Sequence, residues 1–330
     1  MIGEKAQQNS RSDEESVYWL AFHDKSKLLP TRKAVRIFDH FGSLKALLQV
    51  SNLHYHKFEM DDHTIRKLAR YVHRINLSDI DKMLKIIKIR DFNIVRYVDE
   101  KYPKMLKDIE DPPLFILHKG SLLSFDNCIA IAGTRDASYY GRFMARKISK
   151  FLASNGYTIV SGLARGIDEW AHCGALEASG GRTIAVLAWM NPIYPSEHSH
   201  LANDIMKRGA IISELLMNPQ DKSGPSKFVQ RNRITSGISH CVVAIESEDE
   251  GGTVHQVRIA LDQKKRVLAL KPKGSNRNAR KGFKLFMDMG ATPIEYSRGF
   301  LKRLQIDFPP VKEKRLDSFS TYPIDDFVRE

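Results

Sequence analysis

Apolar residues are patterned in two different ways along the chain. From residue 17 to residue 107 they recur at helical spacing. Ala34, Val35, Ile37, Phe38 and Phe41 form one face, closed by Gly42. Ile65, Leu68, Ala69 and Val72 form a second face. Met83, Leu84, Ile86 and Ile87 form a third, ahead of the run Phe92-Asn93-Ile94-Val95. Steps of three and four residues put such side chains on one side of a helix. Pro103, Pro112 and Pro113 then break the pattern, because proline has no N–H and restricts the residue before it. Beyond them come short, near-continuous apolar runs at 128–132, 157–160, 183–187, 210–212, 241–245 and 266–270. Helical patterns, such as 140–154 and 167–178, fall between most of them. Strands that are apolar on both faces and separated by helices predict a mostly parallel, doubly wound α/β sheet, here over about 121–291. The division expected is a disordered leader at 1–15, a small helical domain at 16–110, an α/β domain at 111–300 and a polar tail at 301–330.

Charge adds a partner class to that outline. The chain has 330 residues, 42% of them hydrophobic and 28% charged, which is globular composition. Its formal net charge is +13, and a polyanion is the natural counterpart of that excess. From Gln263 to Arg303 there are seven Lys and five Arg against Asp288 and Glu295, a net of +10. Either a solvated basic face or a phosphate-tracking surface accounts for the stretch. Cys128, Cys173 and Cys241 are far apart and form no C-x-x-C pair, so neither a zinc knuckle nor a redox motif is indicated. Cys128 and Cys241 each open an apolar run and read as buried strand residues. Without an apolar leader or a run long enough to span a membrane, a cytoplasmic protein is expected.

In a doubly wound sheet, ligands bind beyond the carboxyl ends of the strands. Four loops there carry candidate chemistry. The first, at 132–141, holds Gly133, Thr134, Arg135, Ser138 and Gly141. Gly133 permits a tight turn, the helix start offers N–H groups to a phosphate, and Arg135 adds a charged contact. A plain turn with a surface arginine is the alternative. The absence of a G-x-G-x-x-G run counts against a dinucleotide-binding redox enzyme. The second loop carries Ser161, Gly162, Arg165 and Gly166, a candidate anion nest. Asp168 suits the dipole of the helix that follows, and His172, one turn on, reads as its structural hydrogen-bond partner. The third holds Lys227, Phe228, Arg231, Asn232 and Arg233. Phe228 can stack on a base while the arginines hold phosphates; alternatively Phe228 is core and the arginines pair with Glu214 or Glu246. The fourth holds Gly252 and Thr253 at another helix start. Four such loops on one edge argue for an extended phosphate-binding rim. No catalytic residue, metal or cofactor is expected.

These residues resemble the DNA-processing protein A family (DprA, also called Smf). The resemblance lies in G-T-R-D-A-S-Y-Y-G at 133–141 and S-G-L-A-R-G-I-D-E-W-A-H at 161–172. It continues through Tyr194-Pro195, S-E-L at 213–215 and F-V-Q-R-N-R-I-T-S-G-I-S at 228–239, with Y-P-K-M-L-K-D-I-E-D-P-P-L at 102–114 as lead-in. It implies an extended Rossmann-like fold behind a small helical (SAM-like) domain. It also implies single-stranded DNA binding, a homodimer, displacement of single-strand-binding protein and loading of a RecA-type recombinase, as in natural transformation. It implies no catalysed reaction. Gly133, Arg135, Ser161, Gly162, Arg165, Gly166, Phe228, Arg231 and Arg233 fall in its DNA-facing motifs. The chain departs from the family at Ala188-Trp189-Met190-Asn191, at Glu250-Gly251-Gly252-Thr253-Val254, and at Val229, which replaces a common proline. The residues from Phe308 on are polar and contain proline, with no sign of a winged helix.

Two other functions compete with this reading. One is an enzyme releasing the base from nucleoside monophosphates. Its Gly-Gly-x-Gly-Thr pattern needs a glutamate three positions after the threonine, where this chain has Gln256. The other is a nucleotide-sensing or protein-interaction module.

Overall fold

The computed structural model describes residues 19–20, 30–41, 61–63, 66, 70, 77–121, 125–218, 224–274 and 276–311. The leader at 1–15, Gly42, the face formed by Ile65, Leu68, Ala69 and Val72, and the tail beyond residue 311 lie outside the described residues.

Helices α1 (Thr31–Phe41) and α2 (Leu77–Ile89) occur where helical spacing predicts them. Ala34 and Ile87 are buried and pack into one core with Trp19, Leu114, Phe115 and Leu117. The Thr31 hydroxyl donates to the Pro112 carbonyl at 2.6 Å, joining α1 to the proline-rich segment.

Nine strands form one sheet: β1 (Asn93–Arg96), β2 (Phe115–Gly120), β3 (Cys128–Ala132), β4 (Thr158–Ser161), β5 (Arg182–Val186), β6 (Ala210–Ser213), β7 (Cys241–Ala244), β8 (Arg266–Leu270) and β9 (Thr292–Ile294). Their order is β1-β2-β6-β5-β4-β3-β7-β8-β9. The seven strands from β6 to β9 pair in parallel, while β1–β2 and β2–β6 are antiparallel. This is a doubly wound, Rossmann-like sheet extended at one edge. Every residue of β3, β4, β6 and β7 is buried, as a sheet covered on both faces requires. Cys128 and Cys241 are among them, and burial pushes each thiol up to about 12.

One face is covered by α4 (Tyr139–Ser154) and α5 (Ile167–Leu176), packed on Ile129, Ile131, Ile159 and Val243. The other face takes α3 (Lys104–Lys107), α8 (Asn232–Gly237), α9 (Gly252–Asp262) and α10 (Arg277–Asp288), through Leu106, Ile234, Val257 and Phe286. Helix α6 (Ser199–Arg208) packs near β5 and β6, and α7 (Gly224–Gln230) precedes α8.

Three strands, β1, β2 and β9, escape the sequence pattern. β1 lies within the span assigned to the helical domain, yet it pairs with β2 and belongs to the sheet. Only Val95 of its four residues is buried, and four residues are too few to register as a period. β9 contains Pro293, which an outermost strand tolerates. The expected tail also begins too early. Residues 300–307 form α11 (Phe300–Asp307), and Phe300, Leu304 and Phe308 are buried against the α4 side of the sheet. The chain is held as far as Val311, whose N–H donates to the Asn155 carbonyl at 2.9 Å.

Candidate nucleic-acid interface

Strand order reverses between β3 and β7, so the loops after these strands diverge and open a crevice at the carboxyl edge. In such a crevice a phosphate would sit against the first turn of α4. Here the carboxylate of Glu246 holds that position. Its Oε2 accepts from the backbone N–H of Ser138 at 3.0 Å and from the Ser138 hydroxyl at 2.9 Å. Its Oε1 accepts from Asn276 Nδ2 at 3.1 Å. The Ser138 oxygen caps α4 by accepting from the Gly141 N–H at 3.0 Å. A Cβ at Gly141 would run into Glu246 Oε2. Ser138, expected at a DNA phosphate, instead binds an internal carboxylate, and Gly141, expected there too, leaves room for that carboxylate and donates to the Ser138 cap.

Two further glycines bring the first and second loops together. A Cβ at Gly133 would strike the Ile167 side chain. Gly166 has φ +77°, and its Cβ would meet the carbonyls of Thr134 and Arg135 at 2.5 Å. The Ile167 N–H donates to the Thr134 carbonyl at 3.2 Å, locking this approach. Gly133, Thr134 and Gly166 thus set the spacing that presents Arg135 and Arg165, both exposed, on one edge.

Gly162 leaves room for the guanidinium of Arg231, which lies where its Cβ would be. Arg231 Nη2 donates to the Gly162 carbonyl at 3.4 Å and lies 3.8 Å from Asp168 Oδ2. That carboxylate also accepts from the N–H groups of Gly162 (3.1 Å) and Ala164 (3.4 Å). Burial pushes the Asp168 carboxyl up and the Arg231 guanidinium down, and each charge counters the effect on the other. Arg231 is corrected from a phosphate contact to a buried brace under the second loop. Ser161 is buried, with its hydroxyl donating to the Ile131 carbonyl at 2.7 Å. The expected Asp168–His172 bond is not made. His172 Nδ1 bonds Thr183 Oγ1 instead, at 2.7 Å.

The third loop also divides. Arg233 makes a two-pronged ion pair with Glu214, at 2.5 and 2.6 Å, and donates to the Asp111 carbonyl at 2.9 Å. Burial works against its charge, but Glu214 prevails and holds the guanidinium above its usual range. Arg233 is corrected to a structural ion pair. Asn232 is buried and ties α8 to α9, donating to the Gly252 carbonyl at 3.4 Å and accepting from Gln256 Nε2 at 3.2 Å. Thr253 is buried as well, whereas Gly252 is exposed at the start of α9. Lys227 is half-buried and donates to Gln230 Oε1 at 3.2 Å.

What remains toward solvent is a shallow pocket lined by Arg135, Gly162, Arg165, Tyr194, Pro195 and Phe228. Its wall is aromatic. The Phe228 ring centroid lies 5.0 Å from that of Trp189 and 5.4 Å from that of Tyr194. Tyr194 is 51% exposed, while Trp189 is buried and donates from Nε1 to the Pro192 carbonyl at 3.0 Å. The Arg135 guanidinium sits 5.5 Å from the Phe228 centroid, in cation–π range. Arg165 pairs with Glu197 on the exposed rim. The edge therefore offers a π face flanked by two surface guanidinium groups. Trp189 and Tyr194 were not expected as site residues. The signal was available, because both follow β5, next to β4, at the same edge.

A larger cleft, of about 670 Å³, lies elsewhere and is lined by Asp108, Glu110, Asp111, Asp262, Lys264 and Lys265 among others. Its mixed charge gives no basic surface. Among the described residues no cluster of His, Cys, Asp or Glu is placed to hold a metal ion. No described helix is long and apolar enough to cross a membrane.

A family model described as DNA recombination-mediator protein A matches residues 93–305, from the first residue of β1 into α11. The chain belongs to the DNA recombination-mediator protein A family. Among curated members, it is 34% identical over 194 residues to DNA processing protein DprA of Bacillus subtilis, covering 58% of this chain and 64% of that protein. It is 33% identical over 210 residues to protein Smf of Escherichia coli, covering 63% of this chain and 55% of that one. The chain thus spans less than two thirds of the length of either relative. DprA from Streptococcus pneumoniae has the same fold, with a TM-score of 0.67 at 22% identity over 85% of this chain and 96% of that one. DNA processing protein A from Helicobacter pylori, solved to describe its single-stranded DNA binding mode, superposes with a TM-score of 0.57 at 25% identity. That match covers 66% of this chain and 97% of that one.

Proposed function

We propose that this recombination-mediator family member binds single-stranded DNA along the carboxyl edge of its sheet, with no catalysed reaction. The observation that carries the reading is Arg135 over the Phe228 ring, beside exposed Tyr194 and Arg165. Unpaired bases present π faces to such rings, and their phosphates accept from the arginines. Duplex DNA keeps its bases stacked inside and cannot use the aromatic wall. Membership of the family and the single-stranded DNA binding of the H. pylori relative support the same reading. A nucleotide-cleaving enzyme is disfavoured, because Glu246 fills the crevice at α4 and the Gln256 amide is buried against Asn232.

In this reading the protein is a cytoplasmic homodimer that displaces single-strand-binding protein and loads a RecA-type recombinase. Helices α1 and α2, ahead of β1, are accessory to the α/β domain. The test is recombinase filament growth on DNA coated with single-strand-binding protein. The protein is expected to shorten the lag, and Arg135→Ala to restore it. An unchanged lag with wild-type protein overturns the mediator role.

A further inference from the structure

The basic stretch from Gln263 to Arg303 is not used by the Arg135–Phe228 pocket. Several of its cations are satisfied internally: Lys271 pairs with Glu295 at 3.3 Å, Lys281 with Asp249 at 3.0 Å and Arg266 with Asp307 at 2.7 Å. Lys273 is different. It forms no ion pair among the described residues, and its ammonium lies 4.8 Å from the Tyr296 centroid and 5.8 Å from that of Tyr140. Lys147 approaches the same ring from α4, at 5.0 Å, and Phe143 at 5.3 Å. Its ammonium donates to the Tyr296 hydroxyl at 3.0 Å, and it too has no ion-pair partner among the described residues. Phe143 and Tyr296 meet edge to face at 6.2 Å.

Tyr139, Phe143 and Lys273 are exposed, while Lys147 and Tyr296 are half-buried. Tyr139 is 88% exposed and Phe143 41% exposed. Tyr139, Phe143 and Lys147 are four residues apart, so they line one face of α4 over about 12 Å. That face begins four residues after Arg135. Lys273 follows β8 and Tyr296 follows β9, so both leave the sheet at the edge that carries Arg135 and Arg165. Rings open to water, interleaved with lysines that no described carboxylate neutralises, combine π faces with cations as the first pocket does.

We propose that Tyr139, Phe143, Lys147, Lys273 and Tyr296 form a second subsite for single-stranded DNA, engaged by the same strand as it leaves the Arg135–Phe228 pocket. Bases stack on Tyr139 and Phe143, and phosphates meet Lys147 and Lys273. The proposal rests on the single-stranded DNA reading above and adds the path of the strand.

The test is fluorescence anisotropy on the full chain with labelled oligothymidylates of roughly six and roughly twenty-five nucleotides, across a salt series. Arg135→Ala is expected to weaken both lengths. The double variant Lys147→Ala/Lys273→Ala is expected to bind the short oligonucleotide as wild type does and the long one about tenfold more weakly. Its salt slope for the long oligonucleotide should fall by about 1.4, for two lost phosphate contacts. Phe143→Ser keeps both charges and is expected to weaken only the long oligonucleotide. Wild-type affinity and slope for the long oligonucleotide in the double variant, with Arg135→Ala still defective, overturn the second subsite alone. Wild-type protein that binds neither length overturns both readings.

Discussion

Arg233 separates a structural arginine from a DNA-binding one. Its side chain is 12% exposed and that of Glu214 is 5% exposed, so the pair is removed from water. Both carboxylate oxygens accept from the guanidinium, and the remaining donors reach the carbonyls of Asp111 and Gln230. Arg233→Met keeps much of the volume but leaves the Glu214 carboxylate buried without its guanidinium. Breaking one side of a buried pair costs about 3–5 kcal/mol, most of it the desolvation of the remaining charge. Replacing both partners, as in Arg233→Met/Glu214→Leu, removes that charge and is expected to return most of the loss. Equilibrium urea unfolding followed by circular dichroism measures the difference, and anisotropy on the folded variants measures DNA affinity. The account requires a large stability loss in the single variant, substantial recovery in the double, and near wild-type DNA affinity in both. A single variant destabilised by less than about 1 kcal/mol, yet defective in binding DNA, would show that Arg233 meets phosphate and that its pairing with Glu214 is dispensable.

Three other predictions follow from the same geometry. Phe228→Ala should weaken single-stranded DNA binding by about 1–3 kcal/mol, read by anisotropy; wild-type affinity in a folded variant would return the ring to a purely packing role. Gly141→Ala should push the Glu246 carboxylate off Ser138 and cost about 1–3 kcal/mol of stability, because a buried carboxylate loses hydrogen bonds; an equally stable variant would contradict that placement. The third concerns acid. The Thr183 hydroxyl donates to the Ile159 carbonyl at 2.8 Å, so His172 Nδ1 must carry the proton it shares with Thr183, and Nε2 stays bare and buried. Burial, aided by Arg231 and His198, lowers the His172 pKa from 6.5 to about 3. Between those values the unfolded chain takes up a proton that the folded chain refuses. This contribution to stability is complete above pH 6.5 and is lost as pH falls toward 3. His172→Leu should flatten that part of the stability profile in urea titrations; an unchanged profile would remove His172 as the cause.

The parallel core was legible because its physics is repetitive. Strands β3 and β8 coincide with apolar runs, and the other four predicted strands shift by only one residue at an end or two. β1, β2 and β9 were not: β1 and β9 are short edge strands with little burial, and the apolar run of β2 directly follows Pro112-Pro113, where the pattern reads as a boundary. The site was legible at the level of loops, because the carboxyl edge of a doubly wound sheet is where loops converge. Which side chain faces outward was not. Arg135, Arg231 and Arg233 look alike in sequence, yet one sits on an aromatic ring and two are buried against carboxylates. Likewise Gly133, Gly141 and Gly166 read as a phosphate cradle, but the close neighbours that exclude a Cβ there are Ile167, Glu246 and the carbonyls of Thr134 and Arg135. Such distinctions depend on partners distant in the chain.

The central claim is that the Arg135–Phe228 edge binds single-stranded DNA, and anisotropy with labelled single- and double-stranded oligonucleotides of equal length over a salt series tests it most directly. The account predicts a clear preference for the single strand, affinity that falls with salt, and, in Arg135→Ala, weaker binding with a slope reduced by about 0.7. Equal affinity for both forms, or an Arg135→Ala variant with wild-type affinity and slope, would contradict it.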